Sequence, residues 1–182
     1  MKKITALLLC GIFMSSLNSQ SHRRDYNKGV RLAKKGQMTA AIARFTKAIS
    51  GYSYFTDAYY NRALARSKMQ DYLGAIQDYT KAIDLRPHFA LAYNNRGADY
   101  HALNDSEQAI RDYTQAISID GAYARAYYNR GIVYLERNQF WRAYQDFSRA
   151  ILLNPEYVEA KQNLQTCLNR GLSCLIGRPL GR

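Results

Sequence analysis

Three sets of polar side chains recur at one spacing, and their chemistry is that of recognition. Asn27, Asn61, Asn95, Asn129 and Asn163 stand 34 residues apart. An amide offers both a donor and an acceptor, so five in register could hold the backbone of an extended peptide whatever its sequence. They could equally bond one helix to its neighbour. Tyr26, Tyr60, Asn94 and Tyr128 each precede one of these asparagines. Arg62, Arg96 and Arg130 each follow one, and Asp78, Asp112 and Asp146 lie 16 residues further on. That pairing reads as a structural ion pair in each of three repeats. The first repeat breaks it with Lys28 and Arg44, which would repel.

Catalytic patterns are absent. The sequence has no HExxH, no GxSxG and no phosphate-cradling glycine loop. His22, His88 and His101 fall in different repeats, and no Cys/His spacing suits zinc. The expectation is a non-enzyme with no metal and no cofactor.

The elements that must position these side chains follow from the same period. A repeat of 34 residues is a stacked helix-turn-helix unit. The repeats run over 22–55, 56–89, 90–123 and 124–157, with a capping helix over 158–170 and a tail over 171–182. In the third repeat Ala92, Tyr93, Gly97 and Tyr100 share one helical face, and Ala109, Ile110, Tyr113, Ala116 and Ile117 share another, which is 3.6-residue periodicity. Gly36, Gln70, Asn104 and Asn138 fall in the turns between paired helices. Glycine and asparagine tolerate the left-handed conformation that ends a helix; Gln70 is the poor member. Pro87 and Pro155 stop the second helices of repeats two and four.

With these positions in place, residues 22 to about 170 resemble the tetratricopeptide repeat family. The small residue of its first helix corresponds to Gly29, Ala63, Gly97 and Gly131. The alanines of its second helix correspond to Ala41, Ala75, Ala109 and Ala143, and then to Ala48, Ala82, Ala116 and Ala150. The large residue between them is Phe45, Tyr79, Tyr113 and Phe147. The resemblance implies an all-α, right-handed superhelical solenoid whose first helices line a concave groove. It implies a partner that is a protein or peptide, and homodimers also occur in the family. Repeat one departs most, with Asp25 where the others have Tyr59, Tyr93 and Tyr127, and Ser53 where proline is usual. The carboxylate clamp of chaperone-tail binders is not matched, because Val30, Leu91 and Asn95 occupy sites that need asparagine, lysine or arginine.

On that geometry Tyr26, Tyr60, Asn94, Tyr128, Leu64, Ile132 and His101 face the groove, with Ala98 and Leu135 nearby. Lys34, Lys68, Arg23, Arg125 and Arg170 rim it, against Asp57, Glu136 and Glu159. Tyrosine and other aromatics are enriched at binding hot spots. A tyrosine-rich, mildly basic groove suits an extended peptide with acidic or aromatic side chains. The alternative packs half of these tyrosines between adjacent repeats.

The start of the chain reads as a secretory signal peptide over 1–21. Lys2 and Lys3 are basic, Ile4 to Met14 is nearly all apolar, and Ser15 to Ser21 is small and polar. Removing it lowers the formal charge from +12 to +10. The expected location is the bacterial envelope, in the periplasm or at the outer membrane. Lipidation at Cys10 is the alternative that would anchor the chain to a membrane. Cys167 and Cys174 would remain, either bridged across a helix stop at Gly171 or as free thiols. The leading function is therefore an interaction scaffold or adaptor serving envelope assembly or secretion. The alternative is a polyanion or membrane-surface binder. The basic residues read as spread over the repeats, and export disfavours nucleic acid as a partner.

Overall fold

The computed structural model describes residues 21–176, with the side chains of 21–170. The expected leader and Cys10 lie outside the described residues, Ser21 excepted, as do residues 177–182. Among the described residues are nine helices and no strand. They are α1 (21–34), α2 (Met38–Gly51), α3 (Thr56–Lys68), α4 (Tyr72–Leu85), α5 (Ala90–Ala102), α6 (Ser106–Ile119), α7 (Ala124–Glu136), α8 (Phe140–Leu153) and α9 (Val158–Ile176).

The chain divides into two compact units, Met1–Pro87 and His88–Arg182. In the first, α2 packs on α3 and α3 on α4; in the second, each of α5 to α9 packs on the next. Within the second unit the alternate helices α5, α7 and α9 also touch. Every fold-defining turn sits where the spacing predicts it. Gly36, Gln70, Asn104 and Asn138 have φ of 77°, 63°, 61° and 57°. Asp71 and Asp105 then start α4 and α6 by accepting from the backbone N–H of Gly74 and Gln108. The helices α4 and α8 end at Leu85 and Leu153, two residues before Pro87 and Pro155.

The core is a repeated ring-against-small-residue contact. Ala41, Ala75, Ala109 and Ala143 are fully buried, as are Ala48, Ala82, Ala116 and Ala150, and so are the rings of Phe45, Tyr79, Tyr113 and Phe147. A methyl group built on Gly29, Gly97 or Gly131 would lie 2.6, 3.0 or 2.8 Å from the ring of Phe45, Tyr113 or Phe147. The glycines are there because the opposing ring uses the space a side chain would need. Burial pushes the Tyr113 phenol well above its ordinary value, and Asp99, Asp112 and Glu136 add to the effect.

Two features differ from the expectation. The helix α9 does not stop at Gly171 but runs to Ile176. A glycine within a helix costs only about 1 kcal/mol, and no proline follows before Pro179. Cys167 is buried and free. Seven residues along one unbroken helix separate Cys167 and Cys174 by roughly 10 Å. That exceeds the Cα separation a disulfide spans, so the bridge does not fit. Second, Lys28 and Arg44 are not left in repulsion. Arg44 donates to Asp25 at 2.9 Å, and Lys47 lies 3.8 Å from its other oxygen. The two departures of repeat one, Asp25 and Arg44, thus compensate each other.

Candidate protein-interaction site

Two of the repeated arginines each join three helices. Arg62 on α3 grips Asp78 on α4 with two hydrogen bonds of 2.8 and 2.6 Å, and donates to Thr46 on α2 at 2.9 Å. Arg130 on α7 does the same with Asp146 on α8, both bonds 2.8 Å, and with Thr114 on α6 at 2.9 Å. Arg96 holds Asp112 at 2.7 and 2.8 Å. Each guanidinium also lies 5.4–5.9 Å from the ring of Tyr59, Tyr93 or Tyr127. Burial alone would lower the pKa of Arg96 and Arg130, but the hydrogen bond and charge of their aspartates outweigh it, and both are raised. Asp78 has a second partner, Arg66, at 2.8 Å. These arginines are committed to structure.

The asparagine ladder is committed too, wherever its bonds are described. Asn61 donates to the Tyr26 hydroxyl at 3.1 Å and to the Asp57 carbonyl of its own helix at 2.8 Å. Asn163 donates to the Tyr128 hydroxyl at 3.3 Å. Asn129 donates to the Asn94 side-chain oxygen at 3.0 Å, and Asn94 in turn donates to Asn95 at 3.1 Å. One rule covers all three steps: the residue before one asparagine accepts from the next asparagine, 35 positions on. The amides therefore stitch first helix to first helix. Asn27, at the same position of the first repeat, is exposed.

Several expected groove residues are drawn inward by the same contacts. Asn94 is only 1% exposed, not facing the groove. It replaces a tyrosine hydroxyl with a shorter acceptor and so retreats between the helices. Tyr128 packs on Phe147 and Tyr157 at ring distances of 5.8 and 4.7 Å. Tyr26 repeats this box with Phe45 and Phe55, at 5.8 and 4.7 Å. Burial raises both phenols above their ordinary values; Asp57 reinforces the shift for Tyr26 and Glu159 for Tyr128, where the Asn163 bond opposes it. Ile132 packs against the cluster of Ala143, Phe147 and Cys167. Tyr60 lies against Tyr79 at 5.8 Å, and Leu64 is half-buried. His101 bonds Glu136 at 2.7 Å, again 35 positions apart. Asp57 pairs with Arg86 at 3.0 Å.

The first-helix side of the first unit carries a cavity of about 430 Å³. Its walls are aromatic and polar together: His22, Arg23, Tyr26, Asn27, Tyr52, Phe55 and Asp57. The His22 ring stacks on Tyr52 at 5.8 Å, with its Nδ1 buried and without a hydrogen-bond partner. It fits there because Gly51 has no side chain; a methyl group would lie 2.3 Å from that nitrogen. Of these residues the spacing argument placed only Tyr26, Asn27, Arg23 and Asp57. Tyr52 and Phe55 sit in the inter-repeat link, where no periodicity points to them. Trp141, 68% exposed and stacked on Tyr144 at 5.5 Å, was also missed. Among the described residues no group of three or more His, Cys, Asp or Glu side chains could hold a metal ion, and no helix is long and apolar enough to cross a membrane.

The family model described as tetratricopeptide repeat matches residues 56–89 and 124–157, and one described as TPR repeat matches 97–137. The chain belongs to the tetratricopeptide repeat family. Its fold is the family's all-α solenoid, that of a protein–protein interaction scaffold. A crystal structure of MamA protein aligns with a TM-score of 0.79 at 20% identity, over 84% of this chain and 83% of that one. The Arabidopsis OM64 TPR domain aligns at 30% identity and a TM-score of 0.60, over 62% of this chain and 93% of that one. The first TPR of Spaghetti (RPAP3), bound to the HSP90 peptide SRMEEVD, aligns at 25% identity and 0.61, over 63% and 90%. No curated protein matches the sequence. Proteins built from these repeats are generally non-catalytic.

Proposed function

We propose that this protein is a non-catalytic adaptor that seats one side chain of an extended peptide in the His22–Tyr52–Phe55 cavity. The observation that carries the reading is the cavity itself. It is roomy enough for a bulky side chain, walled by three aromatic rings beside His22, and rimmed by Arg23, Asn27 and Asp57. Aromatic-lined pockets with a few polar groups are where peptide anchors bind. The ligand class is a peptide or protein tail with an aromatic anchor, and the unpaired Arg23 favours a flanking acid. The RPAP3 relative bound to a peptide is in keeping with this use of the fold. Because Val30, Leu91 and Asn95 do not form a carboxylate clamp, a free C-terminus is not required.

The signal-peptide pattern of residues 1–21 supports export to the bacterial envelope, periplasmic or at the outer membrane, in assembly or secretion. Self-association is secondary to this role. The test selects binding peptides from a displayed random library on the full chain and remeasures them against Asn27→Trp. Asn27 is exposed, so the new ring fills the cavity without disturbing the core. Affinity should fall roughly thirtyfold, the effect of losing a hot-spot contact of ~2 kcal/mol. Undiminished binding by the variant would move the site elsewhere.

A further inference from the structure

The formal charge of +12 is not spread evenly. Residues 22–55 hold eight lysines and arginines against the single acid Asp25, a net +7. Asp25 is used up by Arg44 and Lys47 of α2. Six basic side chains remain: Arg23, Arg24, Lys28, Arg31 and Lys34 on α1, and Lys35 just after it. All six are exposed. The expectation of scattered basic residues fails here, and a charge count repeat by repeat would have shown it.

Their arrangement is a stripe. Arg24, Lys28, Arg31 and Lys35 follow i, i+4, i+7, i+11 spacing, which places them within about 60° of one another around the helix. Over eleven residues the stripe is roughly 16 Å long. The buried face of α1, with His22, Asp25 and Gly29, lies on the opposite side. Arg23 and Lys34 fall to one side, toward the cavity. The stripe is thus separate from the cavity and independent of the peptide reading.

We infer that the α1 stripe is a docking surface for an anionic phospholipid bilayer. Charge complementarity is one argument: basic side chains ranged along a helix face are attracted to acidic headgroups. Position is the other. The apolar run Ile4–Met14, preceded by Lys2 and Lys3, ends ten positions before Arg24, the first residue of the stripe. That run is too short to span a bilayer, and stable attachment takes two signals, an apolar segment together with a basic patch. At up to ~3.6 Å per residue, Arg24 is no farther than roughly 36 Å along the chain from Met14. The stripe lies beyond residue 21, so it persists on a processed chain and there gives reversible, charge-driven attachment. Nucleic acid fits less well. Tyr26, the one aromatic between Arg24 and Lys35, lines the cavity and not the stripe, so the stripe offers no ring on which bases could stack.

The experiment is flotation of the full chain with vesicles of phosphatidylcholine alone and of phosphatidylcholine mixed with phosphatidylglycerol. The pure-phosphatidylcholine arm measures the apolar leader, and the difference between the arms measures charge. One variant carries Arg24→Gln, Lys28→Gln, Arg31→Gln and Lys35→Gln. A second, equal in charge, carries Lys81→Gln, Arg125→Gln, Lys161→Gln and Arg170→Gln, all at exposed positions. The wild type should prefer the anionic vesicles, less so as salt rises. The first variant should lose roughly fivefold for each charge removed and several hundredfold for all four. The second should lose far less, and single substitutions in the stripe should lose in steps. No preference for anionic vesicles, or equal losses in the two variants, overturns the proposal. So does displacement from vesicles by single-stranded RNA or polyglutamate at matched charge, which would assign the stripe to another polyanion.

Discussion

Breaking one arginine clasp should cost far more than removing both of its ends. The clearest case is Arg130–Asp146. Its side chains are 17% and 7% exposed, and the two hydrogen bonds are each 2.8 Å. An exposed ion pair is worth about 0–1 kcal/mol, and unpairing a fully buried one costs about 3–5 kcal/mol. This pair lies nearer the buried limit, with some water access on the arginine side, so Asp146→Ala should cost ~2–4 kcal/mol. It leaves Arg130 only Thr114 and the neighbouring tyrosine rings. Arg130→Ala should cost a similar ~2–4 kcal/mol by stranding a buried carboxylate. The double change Arg130→Met/Asp146→Leu removes both charges and retains volume, and should cost no more than ~1 kcal/mol. Urea unfolding followed by far-ultraviolet circular dichroism measures all three. Single costs below ~0.5 kcal/mol, as at an exposed pair, would refute the reasoning, as would a double variant as unstable as the sum of the singles.

Other outcomes follow from individual residues. Arg44→Asp, which copies the aspartate of the other repeats, should destabilise by ~1–3 kcal/mol because it faces buried Asp25; adding Asp25→Tyr and Lys28→Arg should recover most of the loss in the same assay. Gln70 is the one long side chain among the four left-handed turn positions, so Gln70→Gly should raise stability by about 1 kcal/mol, and an unchanged urea midpoint would count against strain there. The phenols of Tyr26, Tyr113, Tyr123, Tyr128 and Tyr157 are raised, by burial first in each case. The unfolded chain loses these protons near pH 10 while the folded one keeps them. Stability is therefore fully present below about pH 10 and falls as pH rises beyond it; phenolate absorbance of the folded protein that titrates fully at the ordinary value would sink this. Burial also raises the Cys167 thiol, against a lowering by Arg170, so its alkylation near neutral pH should await unfolding, and rapid native labelling would contradict its placement.

The fold was legible because its determinants repeat. Four turns, three glycine-against-ring contacts and three arginine clasps recur at one spacing, and each copy supports the reading of the others. The site was less legible for the same reason. Periodicity places Tyr26, Asn94, Tyr128 and the asparagines on one face of the first helices, but it does not say which neighbour takes their hydrogen bonds. That depends on the step from one first helix to the next, which brings together residues 35 apart and not 34. A one-residue offset turns a row of apparent peptide-binding amides into a row of inter-repeat clamps. Asn94 shows the consequence most sharply, since shortening the acceptor from tyrosine to asparagine buries it. The lengthened α9 was missed for a different reason. Gly171 permits a helix end but does not impose one.

Where the repeat spends its polar groups, binding has to use what the repeat leaves over. The amides and guanidinium groups that recur are saturated by one another, and a ligand would have to break an inter-repeat bond to use them. Among the described residues, the groups left open include several that depart from the pattern: exposed Asn27, His22 beside Gly51, the aromatic link residues Tyr52 and Phe55, and the exposed cations of α1. All belong to the first repeat. Its departures include the Asp25–Arg44 exchange, which keeps the repeat folded while freeing it from the shared sequence. On this argument specificity is concentrated in α1 and the link that follows α2. Grafting residues 22–55 onto a neutral consensus solenoid should therefore transfer both peptide and vesicle binding, and a graft that folds but binds neither would refute that placement.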